Sequence, residues 1–228
     1  MIKLFPIIFI LLWSSAFITT KPIIDYSDPF AALSFRFFIV SLGFFIFSLF
    51  TNNTFKSSSK NILQSVLSGI LFHGFYLGGV FYSISIGMPT GVTALIVTLQ
   101  PVLTNILAGP LLNEKIFKSQ WIGMVLGFTG AALVLGFEIG ETLPLLGVIA
   151  AFISLFAITF STLWQKKIDN SLPLSASNMY QAIGGCLFHI LIIIFFTSPE
   201  ITFSLTFIIA MSHQIFLVSF GAFTILMY

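Results

Sequence analysis

Residues 11–29, LLWSSAFITTKPIIDYSDP, and residues 155–173, LFAITFSTLWQKKIDNSLP, decide how this chain folds. Each stretch closes an apolar run, crosses a polar connection and reaches a proline that opens the next run. At an offset of 144 residues they share Leu11/Leu155, Ile24/Ile168, Asp25/Asp169, Ser27/Ser171 and Pro29/Pro173, and the match continues to Ala32/Ala176 and Phe44/Phe188. Leucine and phenylalanine coincide by chance in apolar sequence, so the Asp, Ser and Pro pairs carry the weight. An odd number of spans per copy sets the second copy upside down relative to the first, as in transporters built from inverted repeats.

The charges agree with that inversion. Seven of the nine Lys and Arg residues (Lys3, Lys56, Lys60, Lys115, Lys118, Lys166 and Lys167) fall on one side if each apolar run crosses once, and Asp25, Asp28, Glu138, Glu141 and Glu200 fall on the other. Short cytoplasmic loops accumulate Lys and Arg, so the first side is assigned to the cytoplasm, together with the N-terminus. A chain with 57% hydrophobic and 7% charged residues lacks the charged surface a water-soluble domain needs. Its natural unit is the run of about 20 apolar residues that crosses the hydrocarbon. Eight such runs are expected, near 4–20, 30–50, 62–86, 90–112, 120–137, 143–164, 174–197 and 212–228, with 201–211 an apolar segment at the outer interface. The fold class is therefore all-α, a polytopic membrane bundle of two inverted five-helix repeats at 1–138 and 139–228. If the second repeat were complete, the counterpart of the segment ending at Phe137 would end at roughly residue 281, so that repeat is expected to hold three helices and lack two.

The segment from Tyr82 to Leu135 then sets the family. Gly87-Met88-Pro89-Thr90-Gly91, Ala94-Leu95-Ile96, Leu99-Gln100-Pro101, Asn113-Glu114-Lys115, Gln120-Trp121-Ile122-Gly123 and Gly127-Phe128-Thr129-Gly130 follow one another. In order and spacing they resemble the fourth and fifth helices of the drug/metabolite transporter superfamily, EamA type. Trp13-Ser14-Ser15-Ala16-Phe17 and Phe35-Arg36-Phe37 are similar to its first two helices. The resemblance covers essentially the whole chain and implies a ten-helix carrier of small metabolites such as amino acids or drugs. The alternative is a truncated, non-transporting fragment, or a membrane subunit completed by another chain.

Polar groups inside the apolar runs are the candidate site. Pro101, halfway along the fourth run, cannot donate to Val97 and is expected to kink the helix and free a carbonyl at mid-membrane. Gln100 lies beside it and Thr104 one turn on, at the depth where carriers bind solute. The plain alternative is a structural kink. Trp13, with Ser14 and Phe17, sits mid-span rather than at an interface and reads as cavity wall or tight packing. His73 and Tyr76, three apart, should share a helix face, with His73 either titratable or bonded to a neighbouring helix.

Arg36 is the one basic residue clearly inside a span. It is expected to snorkel toward Asp25 or Asp28 in a structural role, with substrate contact or gating as the alternative. Glu114 is a solvated anchor by default and, by the resemblance, a gate. The cavity is expected to be lined by the first, third, fourth and sixth helices. Gly74-Phe-Tyr-Leu-Gly78 and Gly123-Met-Val-Leu-Gly127 are small-xxx-small faces for packing, leaving room for a homodimer. Cys186, His189 and His213 read as packing or interface residues.

No phosphate loop, nucleophile triad or HExxH stands in the sequence, so an enzyme is not expected, nor any cofactor or metal. A net charge of +2 with scattered lysines argues against nucleic acid. The expected partners are a small-molecule substrate and the lipid bilayer of the inner (plasma) membrane.

Overall fold

A computed structural model describes residues 5–51, 53, 55–112, 117–135, 143–168 and 172–222. Among these, eight helical rods follow one another: α1 (Phe5–Ile24), α2 (Pro29–Phe50), α3 (Ser59–Ser85), α4 (Thr90–Leu112), α5 (Lys118–Leu135), α6 (Leu145–Lys167), α7 (Leu174–Phe196) and α8, which is Leu205–Ser212 continued by His213–Ala222. Six of them, α1 to α4, α6 and α7, are long and apolar enough to cross a membrane. The protein is an all-helical polytopic bundle.

Local chemistry sets the ends. Asp28 caps α2, its carboxylate accepting from the amides of Phe30 (3.0 Å) and Ala31 (2.8 Å), and Pro29 occupies a first-turn position where no amide is needed. Ser58 caps α3 by accepting from the Asn61 amide at 3.2 Å. Gly87-Met88-Pro89, whose Gly and Pro break helices, turns the chain between α3 and α4, with Gly87 at φ +97°, a backbone conformation that disfavours a side chain. At one end of the bundle the α1–α2 and α7–α8 connections are tied together. Ser27 bridges Ile201, the Asp28 amide donates to the Glu200 carbonyl at 2.9 Å, and the Thr202 amide donates to the Tyr26 carbonyl at 2.8 Å. At the opposite end, which carries Lys56, Lys60, Lys166 and Lys167, the Tyr180 hydroxyl donates to the Phe55 carbonyl at 2.8 Å.

Two boundaries differ from the sequence reading. The first helix runs on to Ile24, taking in Lys21 and Pro22, and Lys21 pairs with Asp25 one turn later. Residues 201–211 are not an interfacial segment preceding a helix that starts at 212. The eighth helix starts at Leu205, where the Ser204 hydroxyl accepts from the Phe207 amide at 3.1 Å, and Ser212-His213-Gln214 lies inside it. A polar triplet can sit inside a membrane helix when neighbouring helices satisfy it, and α1 and α2 do so here.

The core is built where α3 meets α7 and α6. A Cβ on Gly69 would lie 2.0 Å from the Gln181 carbonyl oxygen, and one on Gly184 would lie 2.3 Å from that of Val66, so α3 and α7 touch backbone to backbone. Of the two small-xxx-small faces, Gly74 and Gly78 are used inside the bundle, against Phe188 and His189. Gly123 and Gly127 meet nothing within 4 Å, on α5, which packs along α4. Cys186 is buried, with its thiol 3.5 Å from the Ser34 carbonyl. In α3 the stretch Ile70–Leu77 and in α8 the stretch His213–Ala222 adopt the wider π winding.

Replacing Gly69 by alanine forces a methyl group into a carbonyl that cannot swing away, at an expected cost of about 1–3 kcal/mol. Thermal unfolding of the detergent-purified protein should drop for Gly69→Ala and stay near wild type for Gly123→Ala. Equal behaviour of the two variants would contradict the α3–α7 contact.

Candidate functional site

Two adjoining cavities lie between the helices of the bundle. The larger, about 830 Å³, is walled by α1 (Phe9, Ile10, Trp13, Ser14, Phe17), α3 (Phe72), α4 (Ala94, Val97, Thr98, Gln100, Pro101) and α6 (Ile158, Thr162, Gln165, Lys166). These are the first, third, fourth and sixth helices, as the sequence reading expected. The smaller, about 30 Å³, shares Trp13, Phe17 and Phe72 with it and reaches Thr20, Arg36, Tyr76, Phe81 and Gln214. The tryptophan and tyrosine rings lie parallel, with centroids 6.2 Å apart and planes at 4°, and Phe72 meets Trp13 edge-on at 5.9 Å.

The fourth helix opens to make this wall. Its hydrogen bonding is interrupted at Leu99, between Thr90–Thr98 and Gln100–Leu112, and Pro101, which has no amide to donate to Val97, stands in the first turn beyond the interruption. The Leu99 amide donates to Ile96 at 3.2 Å, a tighter turn that ends the first segment. The break turns Gln100 toward α6, where its amide nitrogen lies 3.3 Å from the Thr162 hydroxyl and 3.4 Å from that of Thr104. Gln100 and Pro101 therefore line the cavity. Thr104 stands behind Gln100, nearly buried, and supports it.

His73 and Tyr76 part company. In the π winding, residues three apart no longer stack as they would in an α-helix, so Tyr76 faces Trp13 while His73 turns to Phe37, with ring centroids 4.3 Å apart, and to Gly185 of α7. His73 lies behind the cavity wall, and its carbonyl accepts from the His189 ring at 3.0 Å.

Arg36 does not snorkel. Asp28 is committed to its cap and Asp25 to Lys21, while Arg36 is 2% exposed. Its Nε donates to Ser219 Oγ at 3.0 Å and its Nη1 donates to Gln214 Oε1. Gln214 in turn donates to the Ala16 carbonyl at 2.8 Å and Thr19 Oγ1 at 2.9 Å, and His213 sits 3.1 Å from Ser15 Oγ. A seam of polar groups thus joins α1, α2 and α8, and the Arg36 guanidinium also lies 5.2 Å from the Phe37 ring centroid. Glu114 lies outside the described residues.

The sequence reading missed Gln214 and Ser219 because Ser212-His213-Gln214 looked like a helix boundary. It also missed Thr162 and Gln165. Their spacing of three, which sets them on one face of α6, was the available signal.

Comparison with known proteins finds transporters among the relatives of this chain. The chain is 26% identical over 227 residues to the uncharacterized transporter YvbV of Bacillus subtilis (strain 168), covering 93% of this chain and 73% of that protein. It is 25% identical over 200 residues to the uncharacterized transporter YyaM of the same organism, covering 83% of this chain and 63% of that protein. An uncharacterized transporter of Archaeoglobus fulgidus is 26% identical over 124 residues, 54% of this chain and 43% of that protein. Residues 2–136, more than half of the sequence, match the EamA-like transporter family. The chain, with its α1–α3–α4–α6 cavity, belongs to the EamA-like transporter family.

Proposed function

We propose that this protein carries small organic metabolites, amino acids, drugs or related solutes, across the membrane by alternating access. The observation that carries the reading is the cavity of about 830 Å³ between α1, α3, α4 and α6, apolar and aromatic with a few polar groups, which is the composition of a small-molecule site. Its wall includes the broken α4, and irregular backbone at membrane depth belongs where it faces protein or a water-filled cavity. The cavity extends to Lys166 at the lysine-bearing end. At the other end the Ser27–Ile201 bridge ties the connections together and Ile23 and Phe207 are fully buried, which supports a state open toward the lysine-bearing side.

Two inverted repeats, 1–138 and 139–228, are the proposed moving halves. In support, the two π-wound stretches begin at Ile70 and His213, close to the 144-residue offset of the sequence match, and α2 and α7 open on the matched Pro29 and Pro173. We place the chain in the inner (plasma) membrane with its N-terminus and lysine-bearing end in the cytoplasm. For a homodimer, Gly123 and Gly127 of α5 are the exposed small-xxx-small face, because Gly74 and Gly78 are already packed inside the bundle.

Flux measured over a metabolite panel in vesicles carrying the chain should exceed that of empty vesicles. Gln100→Ala, which removes the Gln100–Thr162 hydrogen bond in the wall, should lower it by about tenfold. Identical flux with and without the protein would sink the transporter reading. For orientation, a membrane-impermeant maleimide applied to intact cells should label Glu200→Cys, and should label Ser57→Cys only after permeabilisation, both in a Cys186→Ser background. The opposite pattern would reverse the assignment.

A further inference from the structure

We propose that the guanidinium of Arg36 is an anion-binding point of the cavity, and that the solute it holds is an organic acid with an apolar, aromatic-compatible body and a carboxylate. This rests on the transporter reading of the same cavity and narrows its substrate class.

Arg36 is the only arginine in the chain and is almost wholly buried. An arginine has five N–H donors. Among the described residues Arg36 uses two, to Ser219 and Gln214, and both partners are neutral. The two nearest acids in the sequence are engaged elsewhere, Asp25 with Lys21 and Asp28 with the start of α2, and Lys21–Asp25 is the one ion pair among the described residues. The site therefore holds a fixed positive charge with no counter-ion among those residues. In a low-dielectric interior such a charge favours an incoming anion strongly.

The geometry also selects the anion. Ser219 and Gln214 fix the guanidinium plane, and Gln214 is itself held by α1 through Ala16 and Thr19. A planar donor group held in this way suits a carboxylate. The void beside it, about 30 Å³, takes a water-sized headgroup rather than a whole metabolite. The body of the solute would extend past the shared wall of Trp13, Phe17 and Phe72 into the larger cavity. Tyr76 stacked on Trp13 gives that body flat apolar surfaces.

The test compares matched acids and amides on the purified full chain. Phenylacetate and indole-3-acetate are titrated against phenylacetamide and indole-3-acetamide, reading thermal stability and tryptophan fluorescence. The carboxylates should bind about tenfold to a hundredfold more tightly than the carboxamides. Arg36→Gln should abolish that preference and Arg36→Lys should keep it in weakened form. Equal affinity of acid and amide for the wild type, no binding of either acid at millimolar concentration, or a preference that survives in Arg36→Gln would overturn the proposal. Should Arg36→Gln fail to fold, the wild-type comparison and Arg36→Lys decide. Flux in proteoliposomes separates the two readings. Carriage of the amides without preference for the acids leaves the transporter and removes the anion site, whereas acid-selective, Arg36-dependent binding without any flux keeps the site and removes the transporter.

Discussion

A guanidinium buried in hydrocarbon has to be met by protein, and three helices of this bundle are placed by that requirement. Arg36 on α2 is almost wholly buried, and its nearest acids in the sequence are engaged at the helix ends. Leaving such a group in lipid would cost about 2.5–3.5 kcal/mol on insertion scales. The bundle answers with Gln214 and Ser219 from α8, and Gln214 needs α1 to satisfy its own amide. The π winding of α8 belongs to the same arrangement, for the Ser219 hydroxyl donates to the Gln214 carbonyl five residues back at 3.0 Å. One charge thereby sets the contact of α1, α2 and α8 and the floor of the smaller cavity.

The other half of the core is held by the opposite device. Where α3 crosses α7, there is no side chain at Gly69 or Gly184, and backbone oxygens occupy the space. In a bilayer lipid tails are as apolar as leucine, so helices gain little from hydrophobic burial and associate through close van der Waals contact and hydrogen bonds. Gly79 brings α3 equally close to Ser154 of α6. Clamped on both sides, α3 can present Phe72 and Tyr76 to the cavity from a fixed position. The facing part of this wall is α4, whose hydrogen bonding is interrupted at Leu99 and whose Gln100 reaches α6 through the Thr162 hydroxyl.

Sequence periodicity found the rods well where polar residues marked their ends, and failed where polar residues belonged inside. The turn at Gly87 and the opening of α2 and α7 at Pro29 and Pro173 were legible because turn and helix-start chemistry is local, whereas the cap that Asp28 makes was not read. The start of α8 was misplaced because Ser212-His213-Gln214 resembles a boundary until Arg36, Ser15 and Ala16 are set against it. His73 and Tyr76 were separated by a π stretch that no periodicity announces. Of the expected site, Trp13, Ser14, Phe17, Gln100 and Pro101 line the larger cavity and Tyr76 the smaller, while Thr104 and His73 stand behind the walls.

The sequence by itself determined the class of solvent, the helices and the family, because apolar run length, alternating loop charge and the motifs from Tyr82 to Leu135 are written along the chain. The fate of each polar group within the runs was decided only by the tertiary structure. Whether Arg36 snorkels or is buried, and whether Gln100 meets lipid, protein or a cavity, depends on partners more than 60 residues away, Thr162 for Gln100 and Gln214 for Arg36. A polar atom in hydrocarbon takes the nearest available hydrogen-bond partner, and in this bundle the nearest partner in space is remote in sequence.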